Sequence, residues 1–304
     1  MKIVIALGGN ALGSTPGEQI KNAKITAKNI LPIIKEHNCI ITHGNGPQVG
    51  LINLAFDEGK KVNDKVYEMP FAECGAMSEG YIGFHLVNAI KNELKIEGIK
   101  KDVISVLTNV LVDKNDEAFD NPTKPIGSFY TEEEAKKSPF VMKEDANRGY
   151  RRVVASPKPL KIIEEDAIIK LSDNGFIVVA CGGGGIPIYE ENNKYIPVDA
   201  VIDKDYASSK LASDIKADML LILTAVKNAK INFGKTDEKD LGIITKEEAK
   251  NYLANNEFKA GSMKPKIVSL IDFIEQNEKG TGIITDIFNA YDAINLKCGT
   301  IIKN

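Results

Sequence analysis

The sequence predicts an α/β fold in which helices cover a mostly parallel sheet. Six short apolar runs occur along the chain, and within each run the hydrophobicity is continuous rather than alternating. This pattern is typical of strands buried on both faces of a parallel sheet. Longer amphipathic stretches separate the runs and have lengths that suit crossover helices. The predicted strands are 3–7, 39–42, 103–108, 176–181, 219–224 and 282–285.

The first helix has the clearest start signal. Thr15, Pro16 and Glu18 supply an N-cap, a proline at the first helical position and an acid in the first turn. Apolar residues then follow at helical spacing as far as Ile34. Further helices are predicted at 73–96, 158–174, 205–216, 245–255 and 264–277.

The segment 113–159 interrupts this alternation. It is polar, punctuated by prolines and rich in aromatic residues, and it shows little sustained helical or strand period. Long irregular segments of compact enzymes are often functional, and aromatic side chains need a surface to pack against. We therefore interpret 113–159 as an inserted lobe or lid rather than a loose surface loop.

The composition excludes several classes of protein. The chain has 304 residues, 43% of them hydrophobic, so it can bury a large core as one domain with two lobes or as two domains. Its 39 basic and 42 acidic residues give a net charge of −3, which argues against a nucleic-acid or membrane partner. No apolar run approaches the roughly 18 residues that cross a bilayer, and we expect a cytoplasmic protein.

Cysteine and histidine show no metal-binding pattern. The four cysteines include no C-x-x-C pair, and the three histidines lack the spacing of zinc ligands. We therefore expect reduced thiols, no structural zinc site and no metal chemistry based on histidine.

Glycine-rich turns follow three of the predicted strands. They are Gly8-Gly9-Asn10, the residues 43–47 (HGNGP) and the run 182–185 (GGGG). Open α/β sheets bind ligands beyond the carboxyl ends of their strands, and clustered backbone N–H groups bind phosphoryl oxygens. The P-loop pattern, a complete dinucleotide fingerprint and the G-x-S-x-G elbow are absent from the sequence. The turns therefore indicate an anion site of another type.

Three lysines complete the candidate site. Lys124, Lys204 and Lys266 lie among prolines, glycines or carboxylates. Phosphoryl transfer depends on positioning the reactants and on neutralising charge, so fixed ammonium groups and backbone donors suffice. Asp203 and Asp205 flank Lys204 and would either pair with lysines or bind water around Mg²⁺.

Six motifs, in order along the chain, resemble those of the carbamate kinases, which are members of the amino acid kinase family. The resemblance runs from residue 3 to about 273. Its motifs are IALGGNAL (5–12), THGNGPQVG (42–50), DKND with NPTKP (113–116 and 121–125), KED with RGYRRVV (143–145 and 148–154), the glycine run 182–185 and AVIDKD (200–205).

The resemblance implies a single amino acid kinase domain, 1–304, built as an open three-layer α/β/α sandwich and usually paired as a homodimer. The lobe at 113–159 would close over the acceptor, which the N-terminal half binds, and about 200–304 would bind the nucleotide. The implied reaction interconverts ATP and carbamate with ADP and carbamoyl phosphate. It uses Mg²⁺ carried mainly by the nucleotide phosphates, and it often runs towards ATP at the end of arginine breakdown.

The same motifs imply roles for individual residues. The residues implied in catalysis are Gly8, Gly9 and Asn10 at the transferring group, Lys124 from the lobe, and Lys204 with Asp203 and Asp205, which orient lysines. Those implied to line the acceptor site are Gly44, Asn45, Gly46, Gly183 and Gly184. Those implied on the nucleotide side are Thr224, Ala225, Val226, Gly261, Met263 and Lys266.

Direct in-line transfer fits these residues, since carbamate is already an anionic oxygen nucleophile and needs no general base. We therefore expect His43 to shape its turn rather than to transfer protons. Lys264 lies two residues before Lys266, which leaves open which of them meets phosphate, and Asn147 and 225–227 depart from the family pattern. The alternatives are a kinase for another small acid, such as acetylglutamate, glutamate, aspartate or uridylate, and a catalytically silent nucleotide-binding sensor.

Overall fold

The computed structural model describes residues 1–8, 12–13, 15–145, 148–259 and 261–304. Helices in these residues are α1 (Pro16–Glu36), α2 (Gly46–Val62), α3 (Phe71–Ile96), α4 (Glu132–Lys137), α5 (Glu165–Asp173), α6 (Lys204–Asp214), α7 (Lys246–Ala254), α8 (Met263–Gln276) and α9 (Ala290–Ile294). Strands are β1 (Lys2–Leu7), β2 (Asn38–His43), β3 (Val103–Ser105), β4 (Asn109–Leu111), β5 (Lys124–Tyr130), β6 (Met142–Glu144), β7 (Tyr150–Val154), β8 (Lys161–Ile162), β9 (Ile177–Val179), β10 (Ile186–Glu191), β11 (Lys194–Pro197), β12 (Met219–Thr224), β13 (Lys230–Ile231), β14 (Lys239–Asp240), β15 (Ile243–Thr245), β16 (Thr281–Asp286) and β17 (Thr300–Lys303).

The central sheet has eight strands in the order β15-β17-β16-β12-β1-β2-β9-β3. Neighbouring strands are parallel except β16 and β17, which pair antiparallel. All six predicted strands lie in this sheet, although β3 ends at Ser105, earlier than predicted. The mostly parallel sheet predicted from continuous apolar runs is therefore confirmed.

Alternate residues of the central strands pack into two separate apolar layers. Ile3 and Ile5 of β1 pack with residues of α1 and α3 on one face of the sheet. Val4 and Ala6 pack with residues of α5, α6 and α8 on the other face. Each such aliphatic side chain contributes about 1–3 kcal/mol on burial, so a strand between two helix layers must be apolar throughout. The three-layer α/β/α arrangement is confirmed.

The helix boundaries agree with the predictions in most places. Thr15 caps α1 in a reciprocal capping box with Glu18, as its sequence predicts. The helix predicted at 158–174 is wrong over its first seven residues, because α5 begins only at Glu165. Leu160 and Ile163 instead donate backbone hydrogen bonds to Leu111 and Asn109, which places this stretch beside β4.

Helix α2 is absent from the predictions because glycine and proline at its start indicate a turn. At Gly50 this helix contacts β5, since a Cβ there would lie 2.1 Å from the Cα of Gly127 on that strand. Only glycine fits at this position of α2, because the helix backbone packs directly on the backbone of β5.

The segment 113–159 contains more regular structure than its sequence pattern predicts. β5, β7 and β6 form a separate antiparallel sheet, and α4 follows β5 with its own capping box. Two of its aromatic rings pack on arginines: Arg148 and Arg151 lie over Phe129, and the Arg152 guanidinium carbon is 3.9 Å from the ring centre of Phe140. The segment is a packed lobe joined to α2.

None of the helices in the described ranges is long and apolar enough to span a lipid bilayer.

Candidate active site

The carboxyl ends of β12, β1, β2 and β9 lie side by side, because these strands are adjacent and parallel. The three glycine-rich turns predicted from the sequence therefore meet at one edge of the sheet. Gly9 and Asn10 lie outside the described residues, so the first turn is described only at Gly8.

Gly8 follows β1 and hydrogen-bonds to the end of β12. Its N–H donates to the carbonyl of Leu223 over 2.9 Å, and a Cβ at this position would lie 2.8 Å from that oxygen. The same Cβ would lie 3.6 Å from the Cα of Thr224. The residue predicted to meet the transferring group therefore lies beside the predicted nucleotide strand.

The turn after β9 packs directly on the turn after β2. Gly183 has no room for a side chain, since its Cβ would lie 2.1 Å from the Asn45 amide nitrogen. A Cβ on Gly184 would lie 2.2 Å from the carbonyl oxygen of Ile202, just before Asp203. The structure thus brings together the residues predicted to line the acceptor site. Gly46 lies close by, at the start of α2, where its Cβ would lie 3.8 Å from the Pro125 carbonyl.

The predicted lysines and aspartates form one ionic cluster. Lys124 reaches from β5 to Asp203, with 2.6 Å between Nζ and Oδ2. Asp205 pairs with both Lys204 and Lys266, the latter at 2.8 Å. Three ammonium groups against two carboxylates leave the cluster one positive charge, which suits a site for phosphate oxygens.

Asp205 is the buried centre of this cluster, with a side chain only 4% exposed. Burial alone would raise its pKa, but the ammonium groups of Lys204 and Lys266 outweigh that effect and hold the pKa below its usual range. Asp203 caps α6 by accepting the N–H of Asp205 over 2.9 Å. Lys204 follows this cap and extends past Gly44, whose Cβ would lie 3.4 Å from its Cδ.

His43 is buried at the end of β2 and faces Gly182. Burial lowers its pKa to about 4, so the imidazole is neutral at pH 7. Its Nδ1 lies 3.0 Å from the carbonyl oxygen of Gly44, which can only accept, so the proton sits on Nδ1. The ring bonds its own turn, in keeping with the shaping role expected from the sequence.

Glu79 of α3 is a site residue that sequence reasoning missed. It is 1% exposed, and it accepts the N–H of Gly182 over 2.8 Å and that of Thr108 over 3.2 Å. Burial raises the pKa of its carboxyl to about 8. The sequence pattern indicates that Glu79 is buried, because it lies three residues before Ile82 and therefore on the apolar face of α3.

The remaining predicted nucleotide residues lie at the ends of β12 and α8. Ala225 and Val226 are exposed just after β12, Gly261 is exposed, and Met263 begins α8 and packs against the core. No hydrogen bond or ion pair within the described ranges joins them to the ionic cluster, and their role stays a prediction.

Lys264 and Lys266 lie on different sides of α8. Lys264 is exposed, whereas Lys266 is largely buried and paired with Asp205. We expect Lys266→Ala to raise the KM for ADP by about tenfold or more, because the charge-assisted contact to phosphate that the resemblance implies for Lys266 would be lost.

Lys264→Ala is the matched control and should leave the KM for ADP within twofold of the parent value. Steady-state kinetics with varied ADP measure both variants. Equal effects at the two positions would contradict the assignment.

Comparison with known proteins finds relatives over the whole length of the chain. Residues 1–285 match the amino acid kinase family. The chain is 46% identical to "Carbamate kinase 2" of Staphylococcus epidermidis, covering 100% of this chain and 99% of the relative. It is 48% identical to "Carbamate kinase" of Clostridium perfringens, covering 99% of each, and 48% identical to "Carbamate kinase-like protein YqeA" of Escherichia coli, covering 99% and 98%.

Solved structures agree with these relatives. Carbamate kinase from Giardia lamblia bound to AMP-PNP superposes with a TM-score of 0.91 at 43% identity, covering 99% of this chain and 98% of that one. An Aeropyrum pernix protein, project APE1968, gives a TM-score of 0.90 at 36% identity, covering 100% and 99%. The fold, the site and these similarities together establish that this chain belongs to the amino acid kinase family.

Proposed function

We propose that this protein is a carbamate kinase, which transfers a phosphoryl group reversibly between ATP and carbamate to give ADP and carbamoyl phosphate. The observation that carries this proposal is the cluster of Lys124, Lys204 and Lys266 around two carboxylates, at the edge where the glycine turns meet. Full-length identity of 46–48% to proteins named carbamate kinase supports the same acceptor.

The geometry suits direct in-line transfer. Carbamate carries its own anionic oxygen, so the attack needs no general base. The neutral His43 is therefore not required to accept a proton from carbamate. The main task is to hold two anions together, and the positive cluster with the nearby backbone N–H groups performs it. We assign Lys204 to the transferring phosphoryl group, Lys266 to the nucleotide phosphates and Lys124 to the acceptor side.

Both aspartates of the cluster are already engaged. Asp205 pairs with two lysines, and Asp203 binds Lys124 through one oxygen and the N–H of Asp205 through the other. These residues therefore fit a Mg²⁺ ion that arrives on the nucleotide and takes few protein ligands. When bound, such an ion neutralises charge on the phosphates.

Different parts of the chain are assigned to the two substrates. We assign the acceptor to the turns after β2 and β9 and the nucleotide to 200–304, with the lobe at 113–159 closing over the acceptor and carrying Lys124 on β5. We also propose that the reaction runs towards ATP in arginine breakdown, as the family resemblance implies. The four unpaired cysteines are in keeping with a cytoplasmic location.

The test is Mg²⁺-dependent formation of ATP from ADP and carbamoyl phosphate by the purified chain. Acetyl phosphate, N-acetylglutamyl phosphate and aspartyl phosphate serve as competing donors in the same assay. A kcat/KM for carbamoyl phosphate at least about a hundredfold above the others supports the proposal. Preference for another acyl phosphate would make the chain a kinase for that acid, and binding of ADP without any transfer would make it a sensor.

We further propose that the protein is a homodimer. Ile20 of α1 and Phe84 and Ile96 of α3 are 59–73% exposed and line one shallow depression. This apolar face lies on α1 and α3, and α3 packs against β3, which is one of the two edge strands of the central sheet. A second copy of the chain would cover both the apolar face and the strand edge.

Phe84→Glu should convert the dimer to a monomer, because it places a charge in the proposed apolar face at little cost to the folded monomer. Size-exclusion chromatography with light scattering measures the mass of each species. Val62→Glu, at an 86% exposed position on α2, is the control and should stay dimeric. A dimeric Phe84→Glu variant would contradict this face as the interface.

A further inference from the structure

We propose that Glu79 is a positioning residue for phosphoryl transfer, whose side chain holds the 182–185 turn in the shape that the acceptor requires. The inference rests on the proposed function, since the acceptor is taken to be carbamate or carbamoyl phosphate. It extends that function to a residue of α3 that lies behind the turn.

Glu79 and Thr108 together bind two successive amides of the turn. Glu79 Oε1 accepts the N–H of Gly182 over 2.8 Å, and Thr108 Oγ1 accepts that of Cys181 over 2.9 Å. Glu79 Oε2 in turn accepts the backbone N–H of Thr108 over 3.2 Å. One buried carboxyl thus links α3, the segment before β4 and the turn after β9.

The turn needs this support because the backbone of Cys181, at its start, is strained. Cys181 has a φ of 50°, whereas Gly183, Gly184 and Gly185 have φ values of 69°, 94° and 83°, which glycine adopts without strain. A non-glycine residue in this region costs on the order of 1–2 kcal/mol, and such a conformation persists only where the surroundings fix it. Removing the acceptor oxygens of Glu79 would free the turn to relax.

Relaxation of the turn would reach the acceptor site first. Gly183 packs on Asn45, whose amide donates to the hydroxyl of Ser78, the residue before Glu79. The same stretch of α3 therefore holds both turns that line the acceptor site. The predicted nucleotide residues lie on β12 and α8, away from these contacts, so they should be affected much less.

Glu79→Ala should raise the KM for carbamoyl phosphate by about tenfold, because two buried N–H groups lose their acceptor, while the KM for ADP stays within twofold. Glu79→Gln retains one acceptor oxygen and should restore the KM for carbamoyl phosphate to within about threefold of the parent value. Glu93→Ala changes another buried glutamate of α3 and should leave both constants unchanged.

Hydrogen exchange gives a second readout that needs no turnover. Peptides covering 180–186 should exchange faster in Glu79→Ala than in the parent chain, and Glu79→Gln should return most of the protection. Equal rises in both KM values, no recovery in Glu79→Gln, or unchanged exchange at 180–186 would each overturn the proposal. If the parent chain makes no ATP from carbamoyl phosphate, the proposed function fails, while hydrogen exchange still tests the positioning role.

Discussion

Replacing Lys204 with alanine is expected to lower kcat for ATP formation from ADP and carbamoyl phosphate by about a thousandfold. The Lys204 ammonium lies between the turn after β2 and the start of α6, where it pairs with the buried Asp205. A fixed positive charge in such a site stabilises the transition state more than the bound substrates, because charge on the transferring group is redistributed during the reaction. The loss should therefore appear mainly in kcat.

Lys210→Ala is the matched control for this variant. Lys210 lies on the same helix, is also partly buried and pairs with Asp214 at 2.5 Å. It lies outside the ionic cluster. Its kcat should stay within about twofold of the parent value. Thermal unfolding of both variants checks that they are folded, and a Lys204→Ala enzyme with more than a tenth of the parent kcat would contradict the role assigned to Lys204.

The central sheet could be predicted from the sequence because its strands are buried on both faces. Such burial requires continuous apolar runs, and each glycine turn follows directly from the strand before it. The strands of the 113–159 lobe gave no such signal. β5, for example, has only Ile126 fully buried, so its pattern resembles that of a surface loop.

Features that depend on tertiary contacts were beyond sequence reasoning. Gly50 of α2 and Gly127 of β5 let two backbones approach closely, although these glycines are far apart in the chain. Lys264 and Lys266 have similar sequence surroundings, yet residues two apart on a helix face different directions, and only the packing of α8 shows which side meets Asp205. Glu79 was missed because the two amides that it binds are distant from it in sequence.

Asp205→Ala should both inactivate the enzyme and lower its stability by about 3–5 kcal/mol. The carboxylate pairs with Lys204 and Lys266, whose side chains are only 11% and 13% exposed. Without it, two ammonium groups would face each other with little water to screen them. Urea unfolding at pH 7 measures the loss, and Asp214→Ala, which removes a carboxylate paired with one lysine at the end of α6, should cost less.

The pH dependence separates the charge of Asp205 from its packing. Because the folded-state pKa lies below the ordinary value of about 3.9, the charge contributes stability above that value and loses it as the pH falls towards the folded-state pKa. The difference in unfolding free energy between parent and Asp205→Asn should therefore be full at pH 7 and shrink below about pH 4. The pH dependence from Glu79 has the opposite sign. Burial raises its folded-state pKa to about 8, so its contribution to the stability of the protein is lost as the pH rises towards 8. A difference for Asp205→Asn that stays constant from pH 7 down to about pH 3 would mean that shape rather than charge holds the two lysines in place.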